Sequence, residues 1–104
     1  MARVLIDDPS ADVRELLARL VTMLGHEALT EPDGDLPDVL VFDPADPTAS
    51  DRARLLRELA PMLPLVICSI DEPSPRTRAL RPAAYVLKPF RRSEIEMALT
   101  AALS

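Results

Sequence analysis

The chain has 104 residues, 48 % of them apolar, with a formal net charge of −5 and a single cysteine. That length suits one domain, residues 1–104, with a core of modest size, and the apolar share excludes a disordered chain. No apolar run reaches the roughly 18 residues of a membrane span, Cys68 has no partner for an internal disulfide, and the acidic balance disfavours a nucleic-acid surface.

The N-terminal Met1-Ala2-Arg3 precedes only a short apolar run, too short for a secretory leader. A reducing cytoplasm is the expected setting. Eleven of the twelve basic residues are Arg, and the one Lys is Lys88. An ammonium and a guanidinium are not interchangeable, so a lone Lys hints that position 88 requires the compact charge. The Arg52/Arg54/Arg57 group reads as a solvated helix face. Arg91-Arg92 reads as the mouth of a helix.

Short apolar runs alternate with helical patterns, the signature of an α/β fold with a parallel sheet. Val4-Leu5-Ile6 is a buried first strand. From Ser10, a good N-cap, the period changes. Val13, Leu16, Leu17, Leu20, Val21 and Leu24 fall at helical spacing, and Gly25 suits the helix end. Residues 27–30 are a short second strand. Residues 39–42, apolar throughout, are a strand covered on both faces. Residues 50–60 read as a helix with Leu55, Leu56 and Leu59 inward and Pro61 as its stop. Residues 65–68 are a fourth strand. Residues 76–81, bracketed by Pro75 and Pro82, have room for a turn or two of helix. Residues 84–87 are a fifth strand. Ser93-Glu94-Ile95-Glu96 has capping-box form, and Ile95, Leu99 and Leu103 continue at helical spacing.

Polar residues follow the strands directly: Asp7-Asp8, Asp43, Ser69, and Lys88-Pro89-Phe90. Each alone reads as a turn, a cap or a loop start. A parallel sheet, however, carries all its strand carboxyl ends on one edge, so the four motifs meet in space. Two unit charges about 5 Å apart repel by roughly 3 kcal/mol at an effective dielectric of 20. A divalent cation would remove that cost, and oxygen donors favour Mg²⁺. One carboxylate could then attack phosphorus, with a hydroxyl and an ammonium stabilising the phosphoryl oxygens.

The pattern resembles the receiver domain of bacterial two-component response regulators over essentially the whole chain. "VLIDDPSADVRELL" is similar to that family's first strand, acidic pair and first helix. "PDVLVFD" is similar to the strand bearing the phosphorylated aspartate. "LPLVICS" matches the strand ending in Ser/Thr, and "AAYVLKPF" the strand with Lys-Pro-Phe. The resemblance implies a flavodoxin-like three-layer fold with a five-stranded parallel sheet of order 2-1-3-4-5. It implies that Asp43 accepts a phosphoryl group from a sensor histidine kinase or phosphotransfer protein, assisted by Ser69 and Lys88. Mg²⁺ would be held by Asp8 and Asp43, with Asp7 in support and the Ala45 carbonyl as a further ligand. Tyr85 falls at the family's aromatic switch position. With no output module apparent, a stand-alone receiver would signal by contact with a downstream protein. It would be a phosphoacceptor rather than an enzyme.

The sequence also departs from that pattern. The link at residues 31–38 holds two Pro, one Gly and three Asp, which excludes the family's second helix there. It must cross two strand spacings, about 9.6 Å. Its eight residues reach at most about 26 to 29 Å, so it is expected to be extended and non-helical. One sheet face would then be less covered around Leu36 and the flank of strand one, a contact surface for a partner or a second copy of the chain. The fourth helix is short. Asp46 replaces a Met after Asp43, and Ile70, in place of a very small residue, is expected to crowd the space beside Ser69. These departures favour an alternative: a pseudo-receiver that is never phosphorylated and serves as a protein-binding module. A third reading, a hydrolase with an Asp nucleophile, lacks the second Asp at position 45, where Ala45 stands.

Overall fold

A computed structural model describes residues 1–104. Five strands form one sheet: β1 (Arg3–Asp7), β2 (Glu27–Leu29), β3 (Val39–Phe42), β4 (Leu65–Ser69) and β5 (Ala84–Leu87). Four helices connect and follow them: α1 (Ala11–Met23), α2 (Pro47–Leu59), α3 (Pro75–Ala79) and α4 (Arg92–Leu103). The strand order is β2-β1-β3-β4-β5 and every pairing is parallel, as expected. No helix is long and apolar enough to cross a membrane.

Alternation along the strands divides the interior into two cores. Val4, Ile6, Val39, Val41, Val66, Cys68 and Val86 face Leu17 and Val21 of α1 and Ile95, Ala98 and Leu99 of α4. Leu5, Leu40, Phe42, Leu65 and Ile67 face the other way, onto Ala49 and Ala53 of α2. Sheet and helices therefore form three layers. The strands that bear the site are anchored from both sides.

The helix ends follow local chemistry. Ser10 caps α1, its hydroxyl accepting from the Val13 amide at 3.4 Å. Gly25, at φ +90°, follows the C-cap of α1 in a conformation that L side chains rarely adopt. α2 begins three residues earlier than the periodicity suggests, at Pro47, because the Asp46 side chain accepts from the Thr48 amide at 3.0 Å. Pro is well placed in a helix's first turn, where its missing N–H costs nothing. α4 also starts early. Glu94, not Glu96, reaches back to the Arg91 amide at 2.8 Å, so the capping arrangement lies two residues before the expected Ser93.

The expected inward face of α2 is wrong. Leu55 and Leu59 are exposed, at 56 % and 65 %, while Ala49 and Ala53 are fully buried and Leu56 is partly so. Small residues bring α2 close to the sheet, and the leucines on its other side turn outward. In α1, Leu16 is likewise half exposed.

The link between β2 and β3 contains no helix, as the composition requires. It bends at Gly34 (φ +94°), where the Asp33 side chain accepts from the Asp35 amide at 3.2 Å. Arg3 stitches the link to β1. Its amide donates to Asp38 Oδ2 at 2.8 Å, and its guanidinium reaches the Leu36 carbonyl and the Asp33 carboxylate. Leu36 is 49 % exposed, as expected, but the flank of strand one is not: Leu5 is 3 % exposed. α2 packs over Leu5's side of the sheet and Pro37 of the link is itself buried, so the missing helix does not lay strand one bare.

Candidate functional site

The parallel sheet gathers the ends of β1, β3, β4 and β5 on one edge, and the expected residues meet there. Asp8 and Asp43 are almost fully buried. Lys88 lies between them, its Nζ donating to Asp8 Oδ2 at 2.7 Å and to Asp43 Oδ2 at 2.8 Å. These contacts close across 80 and 45 residues of sequence, which only the strand order makes adjacent. The Lys88–Pro89 peptide bond is cis.

The other oxygen of each carboxylate is used locally. Asp8 Oδ1 accepts from the Ser10 amide at 2.9 Å, and Asp43 Oδ1 accepts from the Ala45 amide at 2.9 Å. Both acids are thus held by the turn that follows their strand. Burial alone would pull the Lys88 ammonium below its ordinary pKa. The hydrogen bonds and charges of Asp43 and Asp8 outweigh that, and the net shift is upward. The ammonium is thereby fixed in its charged form.

Asp7 does not join them. Its Oδ2 accepts from Arg52 Nη1 of α2 at 2.5 Å, and no three acidic, His or Cys side chains converge on a common point. Of the residues expected to hold a metal, Asp8 and Asp43 share the Lys88 ammonium and offer the oxygen donors a hard cation takes, and Asp7 stands beside them paired with Arg52. The expectation of a solvated Arg52/Arg54/Arg57 face fails for two of the three. Arg57 donates to the Leu63 and Leu80 carbonyls at 3.1 and 3.0 Å, and only Arg54 stays on the surface, paired with Asp51. Arg52 was legible in principle. It lies three residues after Ala49 and beside Ala53, on the stripe that faces the sheet.

Ser69 is buried, and its Oγ accepts from the Asp71 amide at 3.1 Å. Ile70 is 72 % exposed, so its side chain lies mostly in solvent rather than packed over Ser69. Tyr85 donates its hydroxyl to the Asp71 carbonyl at 2.6 Å, pinning the loop after β4. A cleft of about 660 Å³ opens beside this edge, between Pro47 and Arg54 of α2 and Glu72 and Arg76, with Ser69 and Tyr85 in its wall. Beneath the edge, burial pushes the Cys68 thiol up to about 11, against a lowering by Lys88.

No protein-family model and no curated protein matches the chain. Its architecture is nevertheless shared: the fold is that of response-regulator receiver domains. The chemotaxis protein CheY4 of Vibrio cholerae superposes with a TM-score of 0.84 at 22 % identity, over 99 % of both chains. A response regulator receiver domain protein from Clostridium thermocellum gives 0.83 at 18 %, covering 99 % of this chain and 94 % of that one. NtrX from Brucella abortus gives 0.84 at 22 %, covering 98 % of this chain but 26 % of that one. At these identities the likeness is one of fold.

Proposed function

We propose that the chain is a receiver module in which Asp43 accepts a phosphoryl group from a phosphohistidine of a sensor histidine kinase or phosphotransfer protein. An Asp43 carboxylate oxygen attacks phosphorus, the bond from phosphorus to the donor imidazole breaks, and the imidazole leaves with the electron pair. The observation that carries this reading is the Lys88 ammonium held between Asp43 and Asp8. It stands where the transferred group's negative charge would arrive. Ser69 Oγ accepts from Asp71, which leaves its proton for a phosphoryl oxygen. Mg²⁺ would be held by Asp8 and Asp43 with the Ala45 carbonyl and Asp7 in support, and would supply further charge neutralisation at the phosphoryl oxygens.

In this reading the chain is a phosphoacceptor in the bacterial cytoplasm, not a turnover enzyme. Its output is contact with a downstream protein. Tyr85 is its switch residue. The hydroxyl's bond to the Asp71 carbonyl ties the ring to the loop next to Ser69, so a change at Ser69 would reach the ring directly.

A second reading has its own support. Every buried side-chain nitrogen and oxygen is already partnered, and all three carboxylates of the edge are paired within the chain. That favours a pseudo-receiver, a protein-binding module that takes no phosphoryl group. Incubation with a small-molecule phosphodonor and Mg²⁺, followed by intact-mass measurement, separates the two. One added phosphoryl group, absent in Asp43→Asn, is the expected result. An unmodified chain under conditions that label ordinary receiver domains would overturn this reading in favour of the binding module.

A further inference from the structure

Two cations of this chain answer the three carboxylates of the edge. Lys88 takes Asp8 and Asp43, and Arg52 takes Asp7 at 2.5 Å. The Arg52 pair is partly shielded, with side chains 34 % and 14 % exposed. Its placement comes from packing. Arg52 sits between Ala49 and Ala53, both at 0 % exposure against the sheet, so the docking of α2 carries the guanidinium to the end of β1. The nearby Asp51 does not claim it, being paired with Arg54 at 3.1 Å.

We propose that Arg52 is a built-in counter-cation that competes with a divalent metal for Asp7 and so keeps the metal affinity of this edge low. The inference rests on the proposed function only in taking Mg²⁺ as the ligand of the edge. Its physical basis is charge and occupancy. With Arg52 and Lys88 in place the three carboxylates leave a net charge of −1. Without Arg52 the net charge is −2, and Asp7 Oδ2 is released, leaving both oxygens of that carboxylate without a side-chain partner. Both changes favour a hard divalent cation.

The test is calorimetric titration of the full chain with MgCl₂ alone, without a phosphodonor. Arg52→Ala is compared with wild type. Arg52→Gln is run beside it because it keeps the polar end and much of the length that pack under α2, and circular dichroism verifies that each variant is folded. Both variants are expected to bind Mg²⁺ about tenfold more tightly, equivalent to about 1.4 kcal/mol. Adding Asp7→Asn to Arg52→Gln is expected to abolish the gain. A gain below threefold in the folded variants overturns the proposal, and so does a gain that survives Asp7→Asn or a titration silent in all proteins. Phosphoryl uptake at Asp43 is read separately by mass, so a failure of that reading and a failure of this one are told apart.

Discussion

Replacing Lys88 with Met removes the one cation shared by two buried carboxylates while keeping an unbranched side chain of similar length. Bonds of 2.7 and 2.8 Å to a single nitrogen put Asp8 Oδ2 and Asp43 Oδ2 no more than about 5.5 Å apart. At an effective dielectric of 20, two unit charges at that separation repel by roughly 3 kcal/mol. This agrees with the ~3 to 5 kcal/mol lost when one partner of a buried ion pair is removed. Lys88→Met is therefore expected to destabilise the fold by about 3 kcal/mol at neutral pH, lowering the thermal midpoint by on the order of 15 °C for a domain of this size. Urea unfolding monitored by circular dichroism measures it. Adding Asp43→Asn to Lys88→Met removes one of the two charges, and at least half of the loss should return. A single variant within about 0.5 kcal/mol of wild type, the usual range for ordinary surface changes, would show that the two carboxylates do not depend on Lys88. So would a double variant no more stable than the single one.

Arg57→Ala should cost about 2 kcal/mol in the same assay, because it strips charged donors from the Leu63 and Leu80 carbonyls at 3.1 and 3.0 Å; Arg54→Ala, on the exposed face, is the control and should change little. Cys68 should resist thiol reagents in the folded protein at neutral pH. It is 1 % exposed and its pKa is raised to about 11, so the thiolate is scarce below that pH. Labelling of native protein at the rate of the urea-unfolded chain would contradict this. The raised Lys88 pKa implies stability that is fully present below the ordinary lysine value and is lost as pH rises through the folded-state value. Unfolding measured above pH ~10.4 should therefore show a steeper alkaline loss in wild type than in Lys88→Met.

Much of this arrangement is written in local chemistry. Uniformly apolar runs such as Val39–Phe42 specify covered parallel strands, and the Pro, Gly and Asp of residues 31–38 forbid a helix there. The placing of Asp8, Asp43, Ser69 and Lys88 at strand ends follows once a parallel sheet is accepted, since such a sheet has one carboxyl edge. Helix faces were less legible. Leu55 and Leu59 have the greater hydrophobicity, yet Ala49 and Ala53 face the sheet, because the distance at which α2 docks rewards small side chains and no single helix contains that distance. The charge pairing depends on the same docking. Arg52 and Asp7 lie 45 residues apart, and Arg52 differs from Arg54 only in sharing the stripe of Ala49 and Ala53, which becomes the inward face once α2 docks. The order of apolar runs and polar residues along the chain is enough to put Asp8, Asp43, Ser69 and Lys88 at strand ends. Which cation meets which carboxylate awaits the packing of helix on sheet, because an ion pair forms where packing brings two long side chains together and desolvates them.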